Sequence, residues 1–290
     1  MDLAPWLIRH VPTVALKRWI WSGVRRREFD FTATTRFGCT LSGNTRDFIQ
    51  RYIYYFGVWE PNISAWIERS LAPGDMFIDV GANIGYYSLL AGRVVGSHGK
   101  VVAIEALPEI FDRLAVHVAQ NGLENVRLVN EAAAEEAAQI TLYFGAEKNI
   151  GSTSTVQSAE TSDRTATVPA RPLWSMLSAQ ERKRARVIKI DVEGAEASVI
   201  RGLHLDSPEY RSDLELVIEV SCERWQDEGS RANEFIGFMQ SFGFNVYVLR
   251  NDHHFRSYLE SARPQPALRL KGKLTRMSDL VFSRADVEFL

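Results

Sequence analysis

Between residues 76 and 283 the chain alternates short apolar runs with amphipathic stretches, and this alternation limits its fold more than any other feature. The apolar runs have the length and the Val, Ile and Leu content of strands; they lie at 76–80, 101–105, 126–130, 140–144, 187–191, 214–220, 244–249 and 279–283. Helices are predicted between most of them, at 84–95, 108–121, 194–203 and 230–241. Apolar strands separated by helices predict an α/β fold, with a parallel sheet covered on both faces.

The rest of the chain is predicted to lie around this sheet. Segment 145–170 is polar and rich in Ser and Thr, so we expect a surface loop with an extra strand at its end. Residues 28–43 are typical of a β-hairpin, and residues 45–57 carry a helical repeat of aromatic and apolar side chains. We therefore predict an N-terminal helical arm and hairpin over 1–70, packed on a main domain over 71–290.

Composition excludes several classes of protein. The net charge is −2, so no overall basic field marks a nucleic-acid binder. The two cysteines, Cys39 and Cys222, lack metal-ligand spacing, which favours a reducing, cytoplasmic compartment over a disulfide scaffold. An apolar run of about 18 residues, the length that predicts a membrane-spanning helix, is absent from the sequence.

The first 27 residues mix tryptophans with basic side chains and lack the pattern of a signal peptide. One interpretation is a helical arm that packs on the domain or on a second subunit, as in a homodimer. The other is a segment that contacts anionic lipid and holds the protein at the inner membrane surface. Pro5 and Pro12 interrupt a long amphipathic helix, which favours the first interpretation.

Polar and acidic residues gather where the predicted strands end. In an open parallel sheet, ligands bind at the carboxyl ends of the strands. The residues predicted there are Asp79, Gly81, Asn83, Gly85, Glu105, the segment 131–135, Asp191, Glu193 and Glu219. Carboxylates at several successive strand ends predict a ligand site at this edge.

The turn after the first strand of the sheet distinguishes two cofactors. A dinucleotide site uses G-x-G-x-x-G, whereas here Asn83 stands between Gly81 and Gly85 in the place of the middle glycine. Asp79 precedes the turn, where a carboxylate repels a phosphate but favours the cationic S-adenosylmethionine. Glu105 can accept from ribose hydroxyls, a feature that NAD sites share. An NAD-dependent oxidoreductase therefore remains the alternative.

Three motifs together resemble the FkbM family of S-adenosylmethionine-dependent methyltransferases: GDMFIDVGANIGYYSLLAG, GKVVAIEALPEIFDRL and VIKIDVEGAEASVIRGL. FGVWEP upstream and DLVFSR near residue 280 also fit that pattern, and the similarity covers roughly residues 35 to 285. The resemblance implies a class I, Rossmann-like fold with seven strands, the last of them antiparallel. It also implies methyl transfer to a hydroxyl oxygen of a small molecule, sugar or glycan, or natural product.

The resemblance also implies cofactor-binding residues. It assigns Asp79, Gly81, Asn83 and Gly85 to the methionine part of the cofactor, Glu105 to the ribose, Ala132 and Glu135 to the adenine, and Glu60 to the amino-acid end. The alternative for Glu60 is a carboxylate stabilised by the start of a helix.

Catalysis on an alcohol needs a general base or a metal, because a hydroxyl is a weak nucleophile at neutral pH. Asp191 is our first candidate for the base, with Glu193 and Glu219 beside it on the same sheet edge. His253 and His254 are competing bases, in a segment that we expect to arch over the site. We predict no metal ligands, with Mg²⁺ held by these carboxylates as the alternative. A further alternative is a non-catalytic accessory subunit of a glycan-modifying assembly.

Overall fold

The computed structural model describes residues 3–145, 153–154, 161–220, 230–251, 254–260 and 264–290. The chain begins with helices α1 Ala4–His10 and α2 Val14–Val24, the hairpin strands β1 Asp30–Thr34 and β2 Thr40–Asn44, and helices α3 Phe48–Phe56 and α4 Pro61–Ser70. The strands of the hairpin pair antiparallel, as predicted. Helix α3 begins where the Asp47 side chain accepts from the Gln50 N–H, and it ends at Gly57, whose φ is 72°.

The remaining elements follow in alternation. The strands are β3 Met76–Val80, β4 Lys100–Ile104, β5 Val126–Val129, β6 Ala132–Ala134, β7 Ala138–Gly145, β8 Thr153–Ser154, β9 Thr161–Pro172, β10 Ala185–Ile190, β11 Glu215–Val220, β12 Asn245–Leu249, β13 Leu268–Arg269 and β14 Ser278–Ser283. The helices are α5 Tyr86–Val95, α6 Pro108–Gln120, α7 Leu173–Met176, α8 Ala179–Arg184, α9 Glu196–Arg201, α10 Ser230–Ser241 and α11 Phe255–Glu260.

The main sheet has the order β13-β12-β14-β11-β10-β3-β4-β5. Strands β5, β4, β3, β10 and β11 are mutually parallel. Strand β14 inserts between β11 and β12 and runs antiparallel to both. Apart from the two-residue edge strand β13, this is the predicted seven-stranded sheet with an antiparallel last strand. The chain leaves β3 toward β4 and later returns on the other side through β10, so β3 and β10 form the topological switch point.

A second sheet, of order β6-β9-β7-β8, lies outside the main one. The prediction that run 140–144 belongs to the parallel sheet is wrong, because β7 pairs antiparallel with β9. Its side chains alternate between buried Leu142 and Phe144 and more exposed Thr141 and Tyr143, the period of a strand with one covered face. The extra strand expected near the end of segment 145–170 is present, and it is the twelve-residue strand β9.

The core lies on both faces of the main sheet. All five residues of β3 are buried. Phe77 packs in the cluster on one face, and Met76, Ile78 and Val80 pack in the cluster on the other. Burial on both faces explains why the strand reads as one uninterrupted apolar run except at Asp79.

Across the described ranges, none of the helices combines the length and the apolar character that a bilayer span requires.

Candidate functional site

A cleft opens at the switch point, beyond the carboxyl ends of β3, β4 and β10. It encloses about 970 Å³ of space, part of it open to solvent. Its walls contain residues 80–84 from the β3–α5 turn, 104–106 from the end of β4, 131–133, Ile140 and Leu142 from the second sheet, Lys189, 191–193 and Ala195 from the β10–α9 turn, and Ile49, Trp59, Tyr86 and Tyr87. The predicted sheet edge is therefore where the concave surface lies.

The turn after β3 depends on Gly81, whose φ is 79°. A Cβ atom at this position would lie 1.9 Å from the backbone oxygen of Asp191, so the two turns approach too closely for any side chain. The N–H groups of Gly81 and Ala82 both donate to the Ile104 carbonyl, at 3.0 and 2.9 Å. Neighbouring strand ends are thus fixed against each other on the floor of the cleft.

Glu105 is the acid at the end of β4, and it is 8% exposed. Its Oε2 accepts from the Asn83 N–H and its Oε1 from the Leu107 N–H, each at 2.9 Å. Burial raises the pKa of Glu105 to about 7, although both N–H donors act in the opposite direction. The carboxylate is therefore held at a fixed position in the wall beside the glycine turn.

Asp79 is fully buried, and its Oδ2 accepts from the Ser88 hydroxyl at 2.6 Å. Among the described residues its Oδ1 has no hydrogen-bond partner. Burial raises the pKa of Asp79 above its ordinary value, against the neighbouring charge of Lys189, which stands opposite it in the β3–β10 register. Asp79 therefore lies in the core just before the turn, and it is not among the described residues of the cleft wall.

Lys189 lies in the cleft wall, although it is not among the site residues predicted from the sequence. It is 4% exposed, its Nζ lies 2.9 Å from Asp191 Oδ2, and the same Nζ lies 4.9 Å from the centre of the Tyr87 ring. Burial lowers its pKa, but the carboxylates of Asp191 and Asp79 outweigh that effect and raise it. A lysine inside a buried apolar strand requires a carboxylate partner, and this signal was available in the run VIKID.

A second buried network adjoins the cleft wall at Glu60. Its backbone has a φ of 43°, and its carboxylate accepts from the Tyr87 hydroxyl and from Asn251 Nδ2. Asn251 also donates to Asp279 Oδ2 at 2.9 Å. Burial, with the nearby charge of Glu60, raises the pKa of Asp279 to about 7. Neither Asn251 nor Asp279 was a sequence candidate, because only the fold brings them to Glu60.

The remaining predicted residues are divided between the cleft and its surroundings. Ala132 and Glu193 lie in the walls, and Gly85 begins helix α5 just behind them. Glu135 lies outside the wall in an exposed ion pair with Arg201. Glu219 stands opposite Asp279 in the pairing of β11 with β14, outside the described wall residues.

Of the two histidines predicted as bases, only His254 lies among the described residues. His254 is exposed, immediately before α11, and it is not among the described residues of the cleft wall. His253 lies outside the described residues. Within the part of the chain that the structure describes, no group of three or more His, Cys, Asp or Glu could hold a metal ion.

The motifs of the β3, β4 and β10 ends also match a known family. The sequence profile of the Methyltransferase FkbM domain matches residues 79–246. The chain belongs to the FkbM methyltransferase family. The resemblance stated from the motifs is confirmed, and the strand order of the main sheet agrees with the class I fold that it implied.

Individual relatives match a shorter part of this FkbM methyltransferase than the family profile does. A protein-L-isoaspartate O-methyltransferase of Methanococcus maripaludis is 36% identical over 62 residues, which are 21% of this chain and 29% of the relative. An arsenite methyltransferase of Halobacterium salinarum is 35% identical over 57 residues, which are 20% of this chain and 15% of the relative. The chain thus spans less than a third of these curated relatives.

The fold is also similar to those of solved methyltransferase structures at low sequence identity. The methyltransferase FkbM from Methylobacillus flagellatus KT is 17% identical with a TM-score of 0.39, over 72% of this chain and 43% of that one. A precorrin-6y C5,15-methyltransferase from Geobacter metallireducens GS-15 is 12% identical with a TM-score of 0.43, over 77% of this chain and 88% of that one.

Family membership supports S-adenosylmethionine as the cofactor, and the cleft fits it. The turn itself forms part of the cleft wall, through Gly81, Ala82 and Asn83, so a ligand in the cleft lies against it. The acid Glu105, which lines the cleft, suits a ligand with hydroxyl donors. Ala132, Ile140 and Leu142 add an apolar wall suited to an adenine ring.

Proposed function

We propose that this FkbM methyltransferase transfers a methyl group from S-adenosylmethionine to a hydroxyl oxygen of a sugar, glycan or related natural product. The observation that carries the proposal is the ion pair between buried Lys189 and partly exposed Asp191, which presents a carboxylate to the cleft beside the cofactor-binding turn. Oxygen as the acceptor atom is favoured because a carboxylate at this position can take the proton of an alcohol.

In this proposal the cofactor lies along the ends of β3 and β4. Asp79, Gly81, Asn83 and Gly85 hold its methionine part, Glu105 accepts from the ribose hydroxyls, and Ala132 borders the adenine together with Ile140 and Leu142. Two predicted residues do not contact the cofactor in this proposal. Glu135 is in an exposed ion pair with Arg201, and the carboxylate of Glu60 is engaged by Tyr87 and Asn251. When bound, S-adenosylmethionine supplies a methyl group on a positively charged sulfur.

Asp191 is the proposed base. Lys189 engages its Oδ2, while the side chain keeps 36% of its surface exposed in the cleft wall. Among the described residues Oδ1 has no partner, so it can accept a hydrogen bond from the acceptor hydroxyl. Asp191 would take the proton of that hydroxyl, while the bond between sulfur and the methyl carbon breaks as the oxygen–carbon bond forms and S-adenosylhomocysteine leaves. Lys189 fixes the carboxylate for this step, since Asp191 and Asp79 raise the pKa of its ammonium in spite of its burial and keep it charged.

The neighbouring wall favours a hydroxylated acceptor. Glu193 adds a second carboxylate, and Trp59 and Tyr87 add aromatic surface. Acidic oxygens bind hydroxyl groups, and flat rings cover the apolar faces of a saturated ring compound.

The test is methyl transfer from radiolabelled S-adenosylmethionine to extracts of the source cell, followed by mild alkaline treatment of the product. A methyl ether on a hydroxyl survives alkali, whereas a carboxyl methyl ester releases its label as methanol. We expect alkali-stable label on a carbohydrate or another hydroxylated compound. Label that alkali releases, or label on nitrogen, would contradict an oxygen of a hydroxyl as the acceptor.

The role of Asp191 is tested with Asp191→Asn, and exposed Asp206→Asn serves as the control. Loss of a general base lowers kcat by roughly 10²-fold or more, while the affinity for S-adenosylmethionine measured by calorimetry stays within a few-fold of wild type. Unchanged turnover in Asp191→Asn would remove this carboxylate from the mechanism.

The rival functions give different results in the same assays. A non-catalytic accessory subunit binds S-adenosylmethionine but labels nothing in the extract. An NAD-dependent oxidoreductase binds NAD and neither S-adenosylmethionine nor its demethylated product. Activity that survives EDTA supports the predicted metal-free site, and loss that Mg²⁺ restores would favour the metal alternative.

A further inference from the structure

The N-terminal arm, defined here as residues 3–27, is fixed to the core on one side. Ala4 and Ile8 of α1 and Trp21 and Val24 of α2 are buried. The Arg9 guanidinium donates to backbone carbonyls at the carboxyl end of α3, at 2.7 Å to Tyr54. Both helices therefore form a layer over the core, and the side chains turned away from it form an outer surface.

That outer surface is unusually apolar for a part exposed to water. Large apolar side chains with high exposure are Leu3 at 65%, Trp6 at 59%, Val14 at 52%, Leu16 at 44% and Trp19 at 73%. They fall within 17 consecutive residues, whereas only six other such side chains are found over the rest of the described residues. A concentration of this kind marks an interaction surface.

The charge of the arm identifies the class of partner. Residues 3–27 contain six Lys and Arg and no Asp or Glu, although the whole chain has a net charge of −2. Arg9 is used inward, but Arg18, Arg25, Arg26 and Arg27 are exposed. A second copy docked by the same surface would set these cations against their own duplicates. An anionic surface complements them.

We propose that the arm binds the surface of an anionic lipid bilayer. Tryptophan is favoured at the boundary between lipid headgroups and acyl chains, where its ring is apolar and its N–H is solvated. Trp6 and Trp19, with Leu3, Val14 and Leu16, would enter this boundary, and the exposed arginines would contact the headgroup phosphates. This contact is peripheral, since the two helices are short and lie flat on the protein core.

The test is co-sedimentation of the full-length protein with vesicles of phosphatidylcholine alone or of phosphatidylcholine with phosphatidylglycerol. We expect binding only to the anionic vesicles, and release as salt is raised, because salt screens the basic contacts. The triple variant Arg25→Gln/Arg26→Gln/Arg27→Gln should bind at least about tenfold more weakly. Equal binding to both vesicle types, or none to either, would overturn the proposal.

The tryptophans are tested with Trp6→Ser/Trp19→Ser, and exposed Val116→Ser on α6 is the matched control. Both side chains are exposed, so the thermal melting curve should not change, and binding should fall at least about tenfold while the control retains it. A wild-type dimer that becomes monomeric in the double variant would instead show that a second copy covers this surface. Binding that survives in the double variant would also overturn the proposal.

Discussion

At the scale of single residues, Gly81 shows how the site depends on backbone rather than side chains. A Cβ at Gly81 would overlap the Asp191 oxygen, so Gly81→Ala should push the β3 and β10 turns apart. We expect loss of S-adenosylmethionine affinity by about tenfold or more, together with destabilisation of about 1–3 kcal/mol from the strained backbone. Calorimetric titration and chemical denaturation measure the two effects.

Gly74→Ala is the control for that substitution. Gly74 also has a positive φ, 92°, but a Cβ there meets nothing within 4 Å. Its variant carries backbone strain without the overlap, so it should lose stability and keep cofactor affinity. Equal loss of affinity in both variants would show that strain, and not the contact between the two turns, is responsible.

The sequence predicts some residues of the site and not others for a physical reason. Gly81, Asn83 and Glu105 lie on consecutive strand ends, and short motifs place them. Asn251 bonds to Glu60 across a separation of 191 residues, and Asp279 joins them through Asn251, so these contacts exist only after the sheet has formed. The run VIKID indicates a carboxylate partner for Lys189 in Asp191, but the second carboxylate, Asp79, comes from the neighbouring strand, which a single sequence does not identify.

At the scale of elements, the second sheet supplies one wall of the cleft through β7. Leu142 is buried and lines the cleft, whereas the adjacent Thr141 is exposed on the opposite face of the strand. Leu142→Ala should weaken S-adenosylmethionine binding by roughly tenfold, since it removes apolar contact worth about 1–2 kcal/mol. Equilibrium binding by calorimetry measures the change.

Thr141→Ala tests whether that loss is specific to the cleft face. Successive side chains of a strand face opposite sides, so this variant should bind the cofactor like wild type. If both variants bind normally, the second sheet does not contact the ligand.

Elements with strong local signals were predicted well. Helix α3 has its aromatic repeat, its capping acid and its terminal glycine within a dozen residues, and the prediction is confirmed. The run 140–144 has the composition of a sheet strand, but composition does not say which sheet. Its partner β9 lies beyond a long polar segment, so the pairing of β7 with β9 depends on tertiary contacts that the run itself does not encode.

At the scale of the whole molecule, the buried acid Glu105 makes stability depend on pH. Its pKa is about 7 in the folded state against an ordinary value of 4.5, so the folded state retains a proton that the unfolded state has released between these values. Its contribution to stability is complete below the lower value and is lost as pH rises through the higher one. The free energy of unfolding of the unliganded protein should fall by about 3 kcal/mol from this group.

Chemical denaturation across pH 5 to 8 measures this loss against Glu105→Gln. The variant is needed as a reference because burial also lowers the pKa of His117. That shift makes the free energy of unfolding rise with pH, which is opposite to the effect of Glu105. The difference between wild type and variant should contain the Glu105 contribution alone. A difference that does not vary with pH would contradict the raised pKa.

The position of β14 between β11 and β12 has a consequence for how the protein is made. Asn251, which follows β12, bonds both to Glu60 near the start of the chain and to Asp279 in β14. Strand β12 has no place in the sheet until β14 has emerged, because its described partner on that side is β14 itself. A growing chain on the ribosome therefore holds an open sheet edge at β11 until β14 has been translated, and an open edge is exposed to pairing with other chains during that interval.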